Sequence, residues 1–207
     1  MRVVCFDLGG VLVSVRQDWL ECIEAAGLAD AARLRTSVHL TEFEGFDRFQ
    51  AGEIAENEYL EGLAEFIGGI DSADALEVHN AILATEFRGV LEVVESLHSS
   101  QIVTGCLSNT NAPHWHLMHH TERFPAIRSL QFPIASHEIL QSKPEPRAYR
   151  TFEASVQASP DEILYFEDGP ANVEAAIRLG WDAVLIDPED DPAKQMRLAL
   201  AHRGALL

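Results

Sequence analysis

A series of short apolar runs, several of them stopping at a polar residue with useful chemistry, constrains this chain most. Residues 2–6 form such a run and stop at Asp7. Ile102–Leu107 stops at Ser108-Asn109, and Ile163–Phe166 stops at Glu167-Asp168. Ala183–Ile186 is a fourth run, and Leu130–Ala135 a weaker fifth. Runs of this length read as buried strands. Helical patterns lie between them. Leu91, Val94 and Leu97 share one helical face, and Tyr149, Phe152 and Val156 share another. Pro170 to Leu179 has proline near its start and Gly180 just past its end, the asymmetry that helix boundaries favour. Strand alternating with helix predicts an α/β fold, a doubly wound parallel sheet covered on both faces.

The stretch from Val15 to Phe87 reads differently. It shows no convincing strand. Trp19, Ile23 and Ala26 give one helical stripe, and Tyr59, Leu60, Leu63, Phe66 and Ile67 a stronger one. Leu76, His79 and Leu83 suggest a third. The expected organisation is therefore a core built from residues 1–14 and 88–207, interrupted by a helical insertion over 15–87.

Charge narrows the function. The formal net charge is −18, which disfavours nucleic acid, because a polyanion needs a basic surface that releases counterions. No apolar run approaches the roughly 18 residues that would suggest a membrane span. The N-terminus enters its first strand directly, without a leader pattern. Cys5, Cys22 and Cys106 are odd in number and widely spaced, and read as reduced thiols of a cytoplasmic protein. An acidic protein also repels anionic substrates at long range, so a phosphate site here needs local positive charge.

In open α/β sheets, ligands gather at the carboxyl ends of the strands. Asp7, Ser108, Asn109, Glu167 and Asp168 all fall there, and Lys143 stands just ahead of a helix in Ser-Lys-Pro-Glu-Pro. One Asp after a strand is ordinarily a cap or turn residue. Together these residues have the chemistry of phosphoryl transfer. Two carboxylates, Asp7 and Asp168, suit magnesium, which takes hard oxygen ligands and keeps several waters. Lys143 and Ser108 suit the transferred phosphoryl group. A carboxylate nucleophile would form an acyl-phosphate that water then cleaves.

The segments Phe6-Asp7-Leu8-Gly9-Gly10-Val11-Leu12, Leu107-Ser108-Asn109-Thr110, Lys143-Pro144-Glu145-Pro146 and Phe166-Glu167-Asp168-Gly169-Pro170-Ala171-Asn172 resemble, in that order, the four motifs of the haloacid dehalogenase-like hydrolases. The insertion after the first motif resembles that superfamily's helical cap domain. Detail in Leu107–Asn111 and in Gly52-Glu53-Ile54 is similar to bacterial sugar-phosphate phosphatases that act on glucose 1-phosphate. The resemblance implies a magnesium-dependent phosphatase of a small phosphorylated metabolite. It makes Asp7 the nucleophile and a metal ligand, Gly9 a metal ligand through its carbonyl, and Asp168 the second carboxylate on the metal. Ser108, the Asn109 backbone and Lys143 would bind phosphate. Glu167 and Asn172 would hold metal-bound water or Lys143.

The sequence departs from that pattern at Gly9, where most phosphatases of the superfamily carry the acid that protonates the leaving oxygen. General acid–base help is typically worth about 10²–10⁴-fold. Gly9 therefore keeps open a non-catalytic binder of a phosphate ligand, and a 2-haloacid dehalogenase, which also uses an Asp nucleophile and could carry Ser108-Asn109, is the other rival. The retained Glu167-Asp168 pair argues against the dehalogenase, which has no use for a metal. A sugar 1-phosphate, with its comparatively acidic anomeric leaving oxygen, suits a site without the usual acid.

Other residues take blander expectations. His114, His116, His119 and His120 crowd one stretch and read as a solvated helix surface. Phe43, Phe46 and Phe49 read as packing inside the insertion, with a pocket wall as the alternative. His39 and Arg16 are candidates for substrate contact, with a surface Arg the blander reading of Arg16. Cys5 and Cys106 read as buried, inert thiols, and Asp187–Asp191 as a solvated loop.

Overall fold

The computed structural model describes residues 1–205 of the 207-residue chain. Five strands form one parallel sheet: β1 (Val3–Phe6), β4 (Val103–Ser108), β5 (Phe132–Ala135), β6 (Ile163–Glu167) and β7 (Asp182–Leu185), in the order β5-β4-β1-β6-β7. The chain lays β4 and β5 on one side of β1, then crosses to lay β6 and β7 on the other. That reversal opens a crevice at the carboxyl end of β1.

Alternation along the strands feeds two separate cores. Val4, Phe6, Cys106, Leu164 and Phe166 face one side, where they meet α5 (Val90–Ser99) and α11 (Pro192–His202). Val3, Cys5, Leu107, Ile163 and Tyr165 face the other, where they meet α9 (Pro146–Val156) and α10 (Pro170–Arg178). A strand buried on both faces has no polar side to show, which is why these runs read as continuous apolar segments. The doubly wound α/β expectation therefore holds. α10 opens with Pro170 at its first turn and ends against Gly180 at φ 95°, as its sequence boundaries required.

The insertion follows β2 (Val13–Val15) and precedes β3 (Leu83–Glu86), which pair antiparallel with each other. Between them run α1 (Trp19–Ala25), α2 (Gly45–Gln50), α3 (Glu56–Ile67) and α4 (Ser72–Asn80), which enclose their own core around Trp19, Tyr59 and Leu63. Asp18 and Asp71 cap α1 and α4 by accepting backbone N–H bonds. β3 corrects the expectation that residues 15–87 hold no strand. Leu83 is a strand residue and not the end of a helical stripe, because α4 stops at Asn80 and four residues are too few to show a period of two. Phe43, Phe46 and Phe49 pack inside the insertion, Phe49 stacking on Tyr59 at 4.1 Å between ring centres. Among the described residues, no helix is long and apolar enough to cross a membrane.

Candidate active site

Asp7 is the first residue past β1, and its backbone N–H extends the ladder by donating to the Phe166 carbonyl at 2.8 Å. Its carboxylate accepts the Leu8 N–H through Oδ1 at 2.7 Å. Glu167 closes the neighbouring strand β6, and Asp168 follows it. Lys143 enters from the loop before α9 and is buried. Its ammonium stands 3.0 Å from Asp7 Oδ1 and 2.7 Å from Glu167 Oε2, and donates to the Tyr165 hydroxyl at 2.9 Å. An ammonium has three protons, and each has one acceptor here. Tyr165 in turn donates to Glu167 Oε2, while Glu167 Oε1 accepts the Gly169 N–H at 2.9 Å. Both Glu167 oxygens are thus engaged. Asp7, Glu167 and Asp168 offer carboxylate oxygens within 4.8 Å of one another.

This crowding sets the protonation states. Burial pushes the Asp7 carboxyl up to about 8, with the Glu167 charge adding to the rise and the Lys143 ammonium opposing it. Burial, and then Glu167, push Asp168 up to about 6. Glu167 is also penalised by burial, but the Lys143 charge and the hydrogen bonds it accepts hold it down at about 2. Burial lowers the affinity of Lys143 for its proton, and Asp7 and Glu167 more than offset that, so it stays charged. One anion, Glu167, therefore belongs firmly to Lys143. The other two carboxyls want a further positive charge.

Gly10 lets them approach. Its φ is 72°, and a Cβ there would lie 2.1 Å from Asp168 Oδ2. Both the conformation and the space require glycine. Gly10→Ala is expected to cost at least about 1–2 kcal/mol from the left-handed backbone alone, and more from displacing Asp168. A thermal melt beside the parent chain checks this; an unchanged melting temperature would contradict it.

The segment after β4 forms the opposite wall. Ser108 is buried at the strand end. The Asn109 side chain grips the Lys143 backbone in both directions, donating to its carbonyl at 2.9 Å and accepting its N–H at 2.8 Å. Asn109 thus fixes the lysine loop. Ser108 and Asn109 line a cavity of about 170 Å³ together with Gly9, Arg16, His39 and Phe46. A second opening, lined by Asp47, Arg48 and Glu53 of the insertion, reaches Asn109 and Lys143 from the other side.

Asn172 sits at the start of α10, its amide close to Gly169, and its carbonyl accepts the Tyr149 hydroxyl at 2.9 Å. Arg16 is not a free surface residue: its guanidinium donates to the Ala81 carbonyl at 2.5 Å while lining the cavity. Cys5 and Cys106 are buried, and burial raises both thiols, Cys106 to about 12. In the Asp187–Asp191 stretch, Asp191 caps α11 through the Lys194 N–H.

The histidine stretch is not uniformly solvated. His116 and His120 are exposed neighbours, and His119 packs on Trp115, but His114 is buried and stacks flat on His79 at 4.0 Å. His79 Nε2 donates to Asn111 Oδ1 at 3.0 Å, and its Nδ1 accepts from the Tyr59 hydroxyl at 2.8 Å. Asn111 Oδ1 also accepts the His114 N–H at 3.1 Å, and His114 Nε2 donates to the His79 carbonyl at 2.9 Å. Asn111 cannot reverse its amide without losing that backbone donor. The network thus has one polarity, and both histidines are neutral, His114 lowered by burial to about 4. It pins α3 and α4 of the insertion to α6 (Ala112–His120). The sequence alone did not single out Tyr59, His79, Asn111 or Tyr165 for these contacts. Only Tyr165 carried a signal, since it shares a strand face with Glu167 two residues on.

The family model of the haloacid dehalogenase-like hydrolases matches residues 1–180. The validoxylamine A 7'-phosphate phosphatase of Streptomyces hygroscopicus subsp. limoneus is 24% identical over 217 residues, covering 100% of this chain and 92% of that one. A HAD family enzyme of Bacteroides thetaiotaomicron, solved as a magnesium complex, superposes with a TM-score of 0.79 at 23% identity, over 95% of this chain and 98% of that one. A HAD-like family hydrolase of Porphyromonas gingivalis superposes with a TM-score of 0.76 at 25% identity, over 97% of this chain and 98% of that one. A match across most of the chain, with the four motifs converging at the end of one parallel sheet, places the protein among the haloacid dehalogenase-like hydrolases.

Proposed function

We propose that this protein is a magnesium-dependent phosphatase that hydrolyses a small phosphate monoester through a phosphorylated Asp7. The observation that carries the reading is one lysine shared by Glu167 and Asp7, beside a further carboxyl, Asp168, that lacks a cation of its own among the described residues. Lys143 and Glu167 hold each other at 2.7 Å, while Asp7 and Asp168 stand within 4.8 Å of each other with raised affinities for protons. Hard oxygen donors of that kind fit Mg²⁺, which needs only one or two carboxylates. Asp7, Asp168 and the Gly9 carbonyl would hold it, and it would supply positive charge shared between carboxylate and phosphate oxygens. The magnesium complex of the Bacteroides enzyme and the phosphatase activity of the Streptomyces relative support the same reading.

The chain's own groups divide the remaining work. Asp7 attacks phosphorus. Lys143 gives up part of its contact with Asp7 to the incoming phosphoryl oxygens, and Glu167 keeps it in place. The Ser108 hydroxyl and the Asn109 backbone orient those oxygens. Residues 15–87 serve as the cap, closing the crevice over the reaction and excluding water. A sugar 1-phosphate is the preferred substrate class, because its leaving oxygen asks least of a site with Gly9 where an acid usually stands. Gly9 also favours a second reading, a binder of phosphate ligands without turnover.

Phosphate release from p-nitrophenyl phosphate and glucose 1-phosphate, with magnesium and with EDTA, separates the two. The phosphatase predicts magnesium-dependent release. Tight magnesium-dependent phosphate binding with no release across a broad ester panel would leave the binder.

Metal binding should also move protons. Burial and the Glu167 charge raise the proton affinity of both Asp7 and Asp168, so Mg²⁺ binding to the pair is expected to release protons near pH 7. Affinity is therefore expected to rise from pH 6 to pH 8.5. Isothermal titration in two buffers of different ionisation enthalpy measures the proton count, and a count of zero would contradict the raised Asp7. The stability sign follows from the same shift. A raised carboxyl favours the folded state at low pH, and that contribution is lost as pH rises through about 6 and about 8. Magnesium should restore it.

A further inference from the structure

We propose that His39, carried by the insertion, is the general acid and base that Gly9 cannot be. The proposal rests on the phosphatase reading above. His39 lines the same cavity as Gly9, Ser108 and Asn109. That cavity borders Leu8 and Gly9, the two residues that follow Asp7, so a proton donor on its wall would stand beside the leaving oxygen.

Three side chains on its wall carry titratable groups: Arg16, His39 and His114. Arg16 stays protonated and donates to the Ala81 carbonyl. His114 has both ring nitrogens occupied, Nε2 on the His79 carbonyl and Nδ1 on the Asn111 amide. Neither can exchange a proton with substrate. Asp47 and Glu53 line the second opening, on the Lys143 side, which Gly9 does not border. His39 differs from all of these. It is exposed, and its described hydrogen bonds use one nitrogen, Nδ1, which lies 2.9 Å from Thr41 Oγ1 and 3.3 Å from the Thr41 N–H. In the structure Nδ1 accepts the Thr41 N–H, and in the proposed cycle it gives up that longer bond and donates Nδ1–H to the nearer hydroxyl. That arrangement leaves Nε2 as the exchangeable nitrogen. The isolated bridge between His39 and Asp18 ties its backbone to the chain just before α1, so the ring is carried on an ordered segment.

The steps balance. In the first, an Asp7 oxygen bonds to phosphorus and the ester P–O bond breaks. His39, with both ring nitrogens carrying a proton for this step, passes the Nε2 proton to the leaving oxygen, which departs as an alcohol. In the second, water attacks phosphorus and gives its proton to the now neutral Nε2. The bond from phosphorus to Asp7 breaks, and phosphate leaves. Ester and water become alcohol and inorganic phosphate, and both side chains return to their starting states.

Gly9 supplies the control. Its φ lies outside the left-handed range, and a Cβ there meets nothing closer than Val15 Cγ1 at 3.5 Å. An aspartate can therefore be placed at position 9 without steric conflict at its Cβ. The experiment compares the parent chain, His39→Gln, Gly9→Asp and the double variant, using p-nitrophenyl phosphate and an alkyl phosphate that the parent turns over. The nitrophenolate leaves without a proton; the alkoxide does not. His39→Gln should lose about 10²-fold in kcat on the alkyl ester and far less in release of nitrophenolate. Gly9→Asp should restore alkyl ester turnover in the double variant. Equal losses on both esters, with no rescue, would make His39 a structural residue and overturn the proposal while leaving the phosphatase standing. An unchanged alkyl ester rate in His39→Gln would overturn it too. A parent chain that turns over no ester overturns both.

Discussion

Asp7→Asn should abolish phosphate release on every ester the parent hydrolyses, with a residual rate at least about 10⁴-fold down, the scale seen when a covalent nucleophile is removed. The substitution is nearly isosteric, and Asn can still accept the Leu8 N–H that Oδ1 accepts now at 2.7 Å. It also removes a buried carboxyl whose ionised form is penalised. The variant should therefore melt no lower than the parent at neutral pH. Stopped turnover with retained stability is the signature of lost chemistry. Substantial activity in Asp7→Asn would remove the phospho-aspartyl mechanism.

Lys143→Met should do the opposite and damage the fold along with the activity. The ammonium is the only cation in contact with Glu167 among the described residues, and both side chains are about 1% exposed. Glu167 would be left buried beside Asp7 and Asp168 with no counter-charge. Breaking a buried pair from one side costs about 3–5 kcal/mol, which in a chain of this size lowers the melting temperature by roughly 2–4 °C per kcal/mol. Lowering the pH should narrow the gap between variant and parent as the unpaired carboxyls take up protons. The double variant Lys143→Met/Glu167→Gln should recover much of the stability and none of the turnover. Differential scanning calorimetry at pH 5.5 and 7.5 tests both statements. A melting temperature in Lys143→Met equal to the parent's would show that the pair is not coupled as its geometry requires.

Much of the fold could be read from the chain because it rests on local signals. β1, β4 and β6 are buried on both faces, so their residues form unbroken apolar runs with no competing period. Asp7, Ser108, Glu167 and Asp168 stand out for the same reason: each interrupts such a run. Short and long-range features were harder. β3 has four residues and pairs with β2 far earlier in the chain, Leu83 opposite Val15, so its pattern is too brief to separate from the helix before it. His114 sits among three other histidines on α6 and looks like one of a solvated set. Its burial is decided by His79, which arrives from the insertion. Asn109 read as a phosphate contact through its backbone, while its side chain serves the Lys143 loop, a pairing across 34 positions that no local spacing announces.

The antiparallel pairing of β2 and β3 has a consequence for descent. The chain leaves for the insertion and returns from it on adjacent strands, so whatever lies between them begins and ends at one fixed doorway. Lengthening or replacing that segment changes little in the closure entropy of the core, because the ends are already held together and loop length enters only logarithmically. The sheet that holds Asp7, Lys143, Glu167 and Asp168 and the lobe between β2 and β3 are thus separable inheritances. One can be conserved while the other is rewritten, and a graft of a different lobe onto Val15 and Leu83 is the modular exchange this architecture permits.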